Sequence, residues 1–152
     1  MSESFPPIEE LAPHAGGMRL IDRVLSFSDR SVQCETIIRA DNIFFKPGLG
    51  VPSYVGLELM AQTISAYDGM RMHASGQKPK IGLLLGCRSH AARRTHFPER
   101  ERLIIEATCL LGESAMASFE CRISDAMNST LATATINVYR PNDLDTVLRM
   151  QS

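Results

Sequence analysis

One segment restricts the fold more than any other: Val51 to Ala74, VPSYVGLELMAQTISAYDGMRMHA. Pro52 suits a first helical turn, where its missing N–H would have no partner anyway. Nothing from there to Ala74 breaks a helix, and Gly76 supplies a stop. The predicted helix is about 34 Å long. Its apolar residues cover most of the circumference. Leu57, Met60, Ile64 and Tyr67 mark one side, and Leu59, Ala66 and Met70 widen it. Such a helix has to be enclosed by other parts of the structure. Glu58, Gln62, Ser65 and Gly69 nevertheless fall on a single stripe of polar and small residues. A carboxylate in the first turns of so apolar a helix is costly to bury unless it is partnered or used. Glu58 is therefore the first candidate functional residue.

The flanks read as strands. Met18 to Ser28 and Ser31 to Ala40 surround the turn Asp29-Arg30, and the second alternates Val32, Cys34, Thr36 and Ile38 against Gln33, Glu35 and Arg39. Two such runs about a tight turn make an antiparallel hairpin. Asp41 to Gly50 is a Pro/Gly loop leading to the helix. Beyond the helix, Ser75 to Pro79 is a polar connector. Lys80 to Arg88 is a strand with a continuous apolar run, expected to be buried on both faces. Ser89 to Arg102 is charged and irregular; Leu103 to Leu111, Met116 to Ile123 and Thr130 to Tyr139 are further strands. Residues 1–16 are irregular apart from a possible helical turn at Ile8–Leu11, and 141–152 form a tail. The expectation is a single α+β domain over 1–152, an antiparallel sheet with one long helix. One sheet covers only one side of that helix. The remaining apolar surface, and any open sheet edge, call for a second copy or a partner, so a dimer is expected.

Composition removes several function classes. With 44% hydrophobic residues the chain has material for a core, and a net charge of −1 gives no global attraction to nucleic acid or a membrane surface. There is no apolar run of transmembrane length and no signal-peptide core in MSESFPPIEE, so a cytoplasmic location is expected. Cys34, Cys87, Cys109 and Cys121 form no C-x-x-C pair, so no metal site is expected. The three in strand-like segments read as small buried hydrophobes.

Chemistry is expected at the start of the helix. Its first N–H groups, near Ser53 and Tyr54, carry partial positive charge and suit a thioester oxygen. Glu58 lies about a turn and a half further in, and a carboxyl desolvated there can deliver a proton near neutral pH. The plainer alternative is a solvated Glu58 hydrogen-bonded to Gln62. A local basic patch, RSHAARRTH, holds Arg88, Arg93 and Arg94 and suits an acidic partner. An ordinary solvated loop would look the same.

These residues resemble a family. The hot-dog-fold (3R)-hydroxyacyl-acyl-carrier-protein dehydratases carry a leading motif like L-P-H-R-x-P-M-L-L-x-D-R-V, then N-x-x-F-F, then a helix like P-G-V-L-x-x-E-x-M-A-Q. Here LAPHAGGMRLIDRV occupies Leu11–Val24, NIFF Asn42–Phe45, and PSYVGLELMAQ Pro52–Gln62. The second half is similar in strand pattern only. The V-P-x-x-V-G-x-E-x-M-A-Q-x-I form, followed by the G-L-L-L-G strand, looks most like the divergent dehydratase-like proteins of aryl-polyene clusters.

The resemblance implies a curved antiparallel sheet wrapped around the long helix, in a dimer whose sites lie between subunits. It also implies dehydration of a 3-hydroxyacyl group on acyl carrier protein to the trans-2-enoyl form, with no cofactor. Glu58 matches the helix carboxylate that handles the departing hydroxyl, and Ser53, Tyr54 and Gln62 are the expected substrate contacts. Arg88, Arg93 and Arg94 would dock the carrier. The family's base is a histidine in an H-F-P-G loop before the helix, and FFKPGLGVP has none. His96-Phe97-Pro98 looks like that motif but stands elsewhere in the chain. His14, which matches the histidine of the leading motif, is the candidate base, with a structural role beside Asp22 as the alternative. Two other readings stay open: an acyl-thioester hydrolase, and a non-catalytic acyl-binding subunit paired with an active dehydratase, in a homodimer or heterodimer.

Overall fold

The computed structural model describes residues 5–11, 16–74, 84–112 and 116–139. A short helix α1 (Ile8–Leu11) and a 3-10 turn (Gly16–Met18) lead into β1 (Arg23–Phe27) and β2 (Ser31–Ile37). β3 (Val51–Pro52), a 3-10 turn (Ser53–Val55) and the helix α2 (Gly56–Ala74) follow. The rest is β4 (Leu84–Ala92), β5 (His96–Phe97), β6 (Arg102–Gly112), β7 (Met116–Ser124) and β8 (Thr130–Tyr139). Six strands form one antiparallel sheet in the order β1-β2-β6-β7-β8-β4, and β3 pairs with β5 apart from it.

The sheet presents alternate residues to α2, which lies against β2, β6 and β7. Val32, Cys34, Ile105, Ala107, Phe119, Cys121 and Ile123 are all buried, as period-two alternation demands. They meet Leu59, Met60, Ile64 and Tyr67 of the helix. The stripe of polar and small residues also faces inward: Gln62, Ser65 and Gly69 are buried. Gly69 is required there, because a Cβ on it would lie 2.1 Å from the Leu11 carbonyl oxygen. This close contact seats α1 on the helix.

Four expectations need correction. The helix does not start at Pro52. Val51 and Pro52 extend to pair with Phe97 and His96, a 3-10 turn follows, and the α-helix begins at Gly56. Its nineteen residues make it about 28 Å long. Pro52 tolerates this because a two-stranded edge pair does not need its missing N–H. The segment 89–102 is not all irregular, since β4 continues to Ala92 and β5 follows. β4 is an edge strand with Gly86 and Cys87 exposed, so it is not buried on both faces in the single chain. Correspondingly, Cys34 and Cys121 are buried, Cys109 is half-buried and Cys87 is exposed. The first strand is also shorter than expected, beginning at Arg23; Asp22 still pairs through its N–H to the Glu35 carbonyl at 2.9 Å. No helix among the described residues is long and apolar enough to cross a membrane.

Candidate functional site

Gln62 organises the start of α2. It is fully buried, and its amide is fixed by the leading segment. Its Oε1 accepts the Leu20 N–H at 2.8 Å, and its Nε2 donates to the Met18 carbonyl at 2.7 Å. Those two contacts define which end of the amide is which. The second N–H therefore points at Glu58, donating to Oε1 at 3.0 Å. The spacing of four residues puts both side chains on one helix face. Leu20 is held from its other side as well, its carbonyl accepting from Thr36 Oγ1 at 2.6 Å. The leading motif thus acts as a brace between β2 and α2, and Glu58 receives a donor in a set direction.

Glu58 is half-buried in the single chain, not sealed from water. The segments that lead to α2 carry exposed apolar residues: Met18, Ile43, Leu49 and Tyr54 are 53%, 53%, 56% and 61% exposed. Ile43 reaches Gly17 beside Met18, and Leu49 sits in the turn that closes at Gly50. Asn42 orders the loop before β3 by accepting the Phe44 N–H on its side chain and the Phe45 N–H on its carbonyl. Gly50 has a φ of 104° and lies so close to Phe97 that a Cβ would fall 2.1 Å from the Phe97 carbonyl oxygen. Only glycine meets both conditions.

The first amides of the helix are partly consumed. Pro52 has none, and the Ser53 N–H donates to the Thr95 carbonyl at 2.8 Å. The Gly56 N–H turns back onto the Ser53 carbonyl in the 3-10 turn. Of the two positions expected to hold a thioester oxygen, Ser53 is thus committed through its backbone. Tyr54 stands at the exposed one.

The basic patch is also divided. Arg94 is tied into the fold, bonding Glu101 at 2.5 Å and lying 3.9 Å from Asp125. Arg93 is exposed. The side chain of Arg88 and all of His14 lie outside the described residues. A separate cleft of about 340 Å³ is lined by Arg19, Asp22, Thr36, Arg39, Asp41 and Asn42 among others, and does not include Glu58. Its charges pair internally, Asp22 bonding Arg39 at 2.9 Å. Burial pushes the Cys34 thiol up to about 12, against an opposing Thr63 hydrogen bond. Burial likewise pushes Cys121 up to about 12. Neither thiol is a nucleophile at neutral pH. No group of three His, Cys, Asp or Glu among the described residues could hold a metal.

Sequence reasoning set His96 aside as misplaced. The fold brings it to the start of α2, paired with Pro52, half-buried, with Nδ1 3.1 Å from Thr95 Oγ1. The only local hint was a strand-compatible pair before Pro98; the pairing itself joins distant segments.

Comparison with known proteins agrees with this geometry. The dehydratase heterocomplex ApeI:P from Xenorhabdus doucetiae superimposes with a TM-score of 0.88 at 25% identity, over 98% of this chain and 100% of that one. The E. coli PaaI protein of the phenylacetic acid degradation operon superimposes at 0.61 with 11% identity, over 78% of this chain and 82% of its own. A hypothetical thioesterase with coenzyme A from Streptococcus pneumoniae gives 0.58 at 14%, over 77% and 83%. The last two share the fold alone: one long helix packed on an antiparallel sheet, the hot-dog arrangement. No curated protein matches the sequence. Residues 6–149 match the family described as ApeP-like, ApeP dehydratase, and the chain therefore belongs to the ApeP-like dehydratase family.

Proposed function

We propose that this protein is the carboxylate-bearing subunit of a dehydratase acting on 3-hydroxyacyl thioesters of acyl carrier protein, in aryl-polyene-type synthesis. One observation carries the reading: in a chain of a dehydratase family, Glu58 stands half-buried in the first turn of α2 with its carboxylate oriented by the fixed Gln62 amide. Glu58 gives a proton to the β-hydroxyl as the C–O bond breaks and water leaves. A base takes the α-proton, and the electron pair of that C–H bond becomes the double bond. The Tyr54 amide, in the first turn and at an exposed position, is assigned to the thioester oxygen. Gln62 acts through Glu58 and does not touch substrate, since both its N–H groups are spent inside the chain.

The base is assigned to a second hot-dog subunit. The loop 41–50 contains no histidine, and a similar structure is a dehydratase heterocomplex, ApeI:P. The exposed apolar Met18, Ile43, Leu49 and Tyr54, on the segments leading to α2, and the half-buried Glu58 suit coverage by such a subunit, which would dry the site. His14 is the competing base within this chain. Arg93, with Arg88, is the remaining candidate for carrier docking.

The test is turnover of 3-hydroxyacyl carrier protein by this protein alone and with a candidate hot-dog partner. Enoyl product that requires the partner, disappears with Glu58→Gln and survives His14→Ala supports the reading. Product from this protein alone that disappears with His14→Ala moves the base into this chain. Release of free thiol indicates a hydrolase, and turnover indifferent to Glu58→Gln leaves a non-catalytic acyl-binding subunit.

A further inference from the structure

The cleft of about 340 Å³ has no part in the chemistry assigned to Glu58, and its lining is mostly polar. Arg19, Leu20 and Asp22 reach it from the leading segment, and Thr36, Arg39 and Asn42 from the end of β2 and the loop that follows.

The hydrogen bonds already made there decide what the cleft can accept. Asp22 holds Arg39 by one nitrogen only. Its two oxygens lie 3.0 and 2.9 Å from Nη1, and the Ile37 carbonyl lies 3.3 Å from the same atom. Asp22 Oδ2 also accepts the Ile37 N–H at 2.8 Å. The carboxylate is thus matched within the wall. Arg39 keeps the N–H groups of Nε and Nη2, which bond nothing among the described residues. Asn42 is fixed in the same one-sided way. Its Oδ1 accepts the Phe44 N–H at 2.8 Å, and its NH2 group bonds nothing among the described residues. Arg19 adds a second guanidinium. Asp41, the other acid of the lining, is exposed. Donors therefore outnumber acceptors, while two arginines face two aspartates. Such a site suits a monoanion with several oxygens better than a dianion.

The cleft adjoins the brace that orients Glu58. Leu20, on its lining, donates its N–H to Gln62, and Gln62 donates to Glu58. Two hydrogen bonds and the width of one amide put the Leu20 nitrogen no more than about 8 Å from Glu58 Oε1. We infer that this cleft binds the phosphodiester of the carrier's phosphopantetheine arm, through Arg39 and the Asn42 amide with Arg19 beside them. A phosphodiester is a monoanion with two free oxygens, which a guanidinium fork matches. The arm beyond it carries amides and suits a polar lining, which an acyl chain does not. It is long and flexible enough to pass from the cleft to Glu58. The inference rests on the dehydratase reading above, and it places the phosphate away from the basic run that holds Arg93. A site with balanced charges binds the group weakly by itself; attachment to a docked carrier supplies the local concentration.

Three probes are titrated into the full-length protein: the methyl diester of 4′-phosphopantetheine, pantetheine, and inorganic phosphate. In parallel, kcat/KM is measured with the hot-dog partner for the 3-hydroxyacyl thioesters of the first two. The wild type is expected to prefer the diester to pantetheine about 10-fold, and the same ratio is expected in kcat/KM, carried by KM. Asn42→Asp keeps the oxygen that accepts the Phe44 N–H and replaces the donors with a charge, so the ratio should fall to about 1. Arg39→Gln should do the same, and Arg39→Lys, with the charge but not the fork, should keep part of the preference. Arg39→Gln also removes the partner of Asp22, so Asn42→Asp decides the matter where Arg39→Gln fails to fold. Equal affinity of the wild type for diester and pantetheine overturns the inference, as does a preference that survives Asn42→Asp. Inorganic phosphate bound as tightly as the diester makes this a site for free phosphate and overturns the carrier assignment. Absence of enoyl product from both thioesters instead overturns the dehydratase reading, and the binding ratio still decides the role of the cleft.

Discussion

Two glutamates, Glu35 on β2 and Glu58 on α2, differ in burial and in the partners that hold them: Glu35 is buried and Glu58 half-buried. Glu35 has a side chain only 8% exposed and two guanidinium groups upon it. Arg102 Nε bonds its Oε2 at 2.5 Å, and Arg23 Nε bonds its Oε1 at 3.2 Å. This arrangement crosses three adjacent strands, β1, β2 and β6, and fixes their order. Glu58 is half-buried, and one of its oxygens accepts from the neutral Gln62 amide at 3.0 Å. A carboxylate matched by two cations is held as an anion and serves the fold. Glu58, oriented by the fixed Gln62 amide, is the carboxylate to which we assign the chemistry. Substitution should separate the two.

The largest effect is expected at Glu58. Glu58→Gln should lower turnover by about 100- to 1,000-fold, roughly 3–4 kcal/mol of barrier. Its urea midpoint should stay close to wild type, because Gln replaces one half-buried acceptor with another. A large fall in stability would mean that Glu58 belongs to the same class as Glu35. Gln62→Ala comes next and should affect both readouts. It leaves the Leu20 N–H and the Met18 carbonyl without their partner, costing about 2 kcal/mol. It also frees Glu58 to turn, and turnover should fall about 10-fold in protein that is still folded. An effect on stability alone would reduce Gln62 to a brace.

The sequence carried one half of this contrast and hid the other. Glu58 and Gln62 lie four residues apart on a helix, so their contact is readable from spacing. The partners that give the Gln62 amide its direction, Leu20 and Met18, come from a segment 42 and 44 residues away. No local pattern reports that. The strands were legible wherever burial alternates, as in β7 with Ala117, Phe119, Cys121 and Ile123 inward. The start of α2 was not, because Pro52 suits an edge strand as well as a first helical turn, and only Phe97 and His96 decide between them. The same long-range pair hid His96. Arg94 misled for the opposite reason: within a run of basic residues it looks solvated, while its partners Glu101 and Asp125 come from the residue just before β6 and from the β7–β8 turn.

A smaller effect is expected at that arginine. Arg94→Ala leaves Glu101 without its cation, and the other Glu101 oxygen is already buried with no donor. The cost should be about 2 kcal/mol in urea unfolding, with carrier affinity otherwise kept. Arg93→Ala, at an exposed side chain, should do the reverse, weakening carrier binding a few-fold with no loss of stability. Equal effects of the two on carrier affinity would restore Arg94 to the docking surface.

The smallest effect, and the one that most directly compares the two glutamates, is the pH dependence of Glu35→Gln. Burial acts to raise the Glu35 carboxyl, and the hydrogen bonds and charges of Arg23 and Arg102 outweigh it, holding the group below its ordinary 4.5. A carboxyl lowered in the folded state stabilises the fold above its unfolded value, and that contribution disappears as pH falls through the folded value. At pH 7, Glu35→Gln should cost about 1–2 kcal/mol, since it removes the charge from two hydrogen bonds. The difference from wild type should begin to shrink below about pH 4.5 and close as Glu35 itself takes a proton. Turnover at pH 7 should be unchanged in the folded fraction. Parallel unfolding curves for wild type and Glu35→Gln from pH 3 to 7 measure this. A gap that stays constant with pH would mean that the two arginines hold Glu35 by packing and not by charge, and the distinction drawn between the glutamates would lose its electrostatic basis.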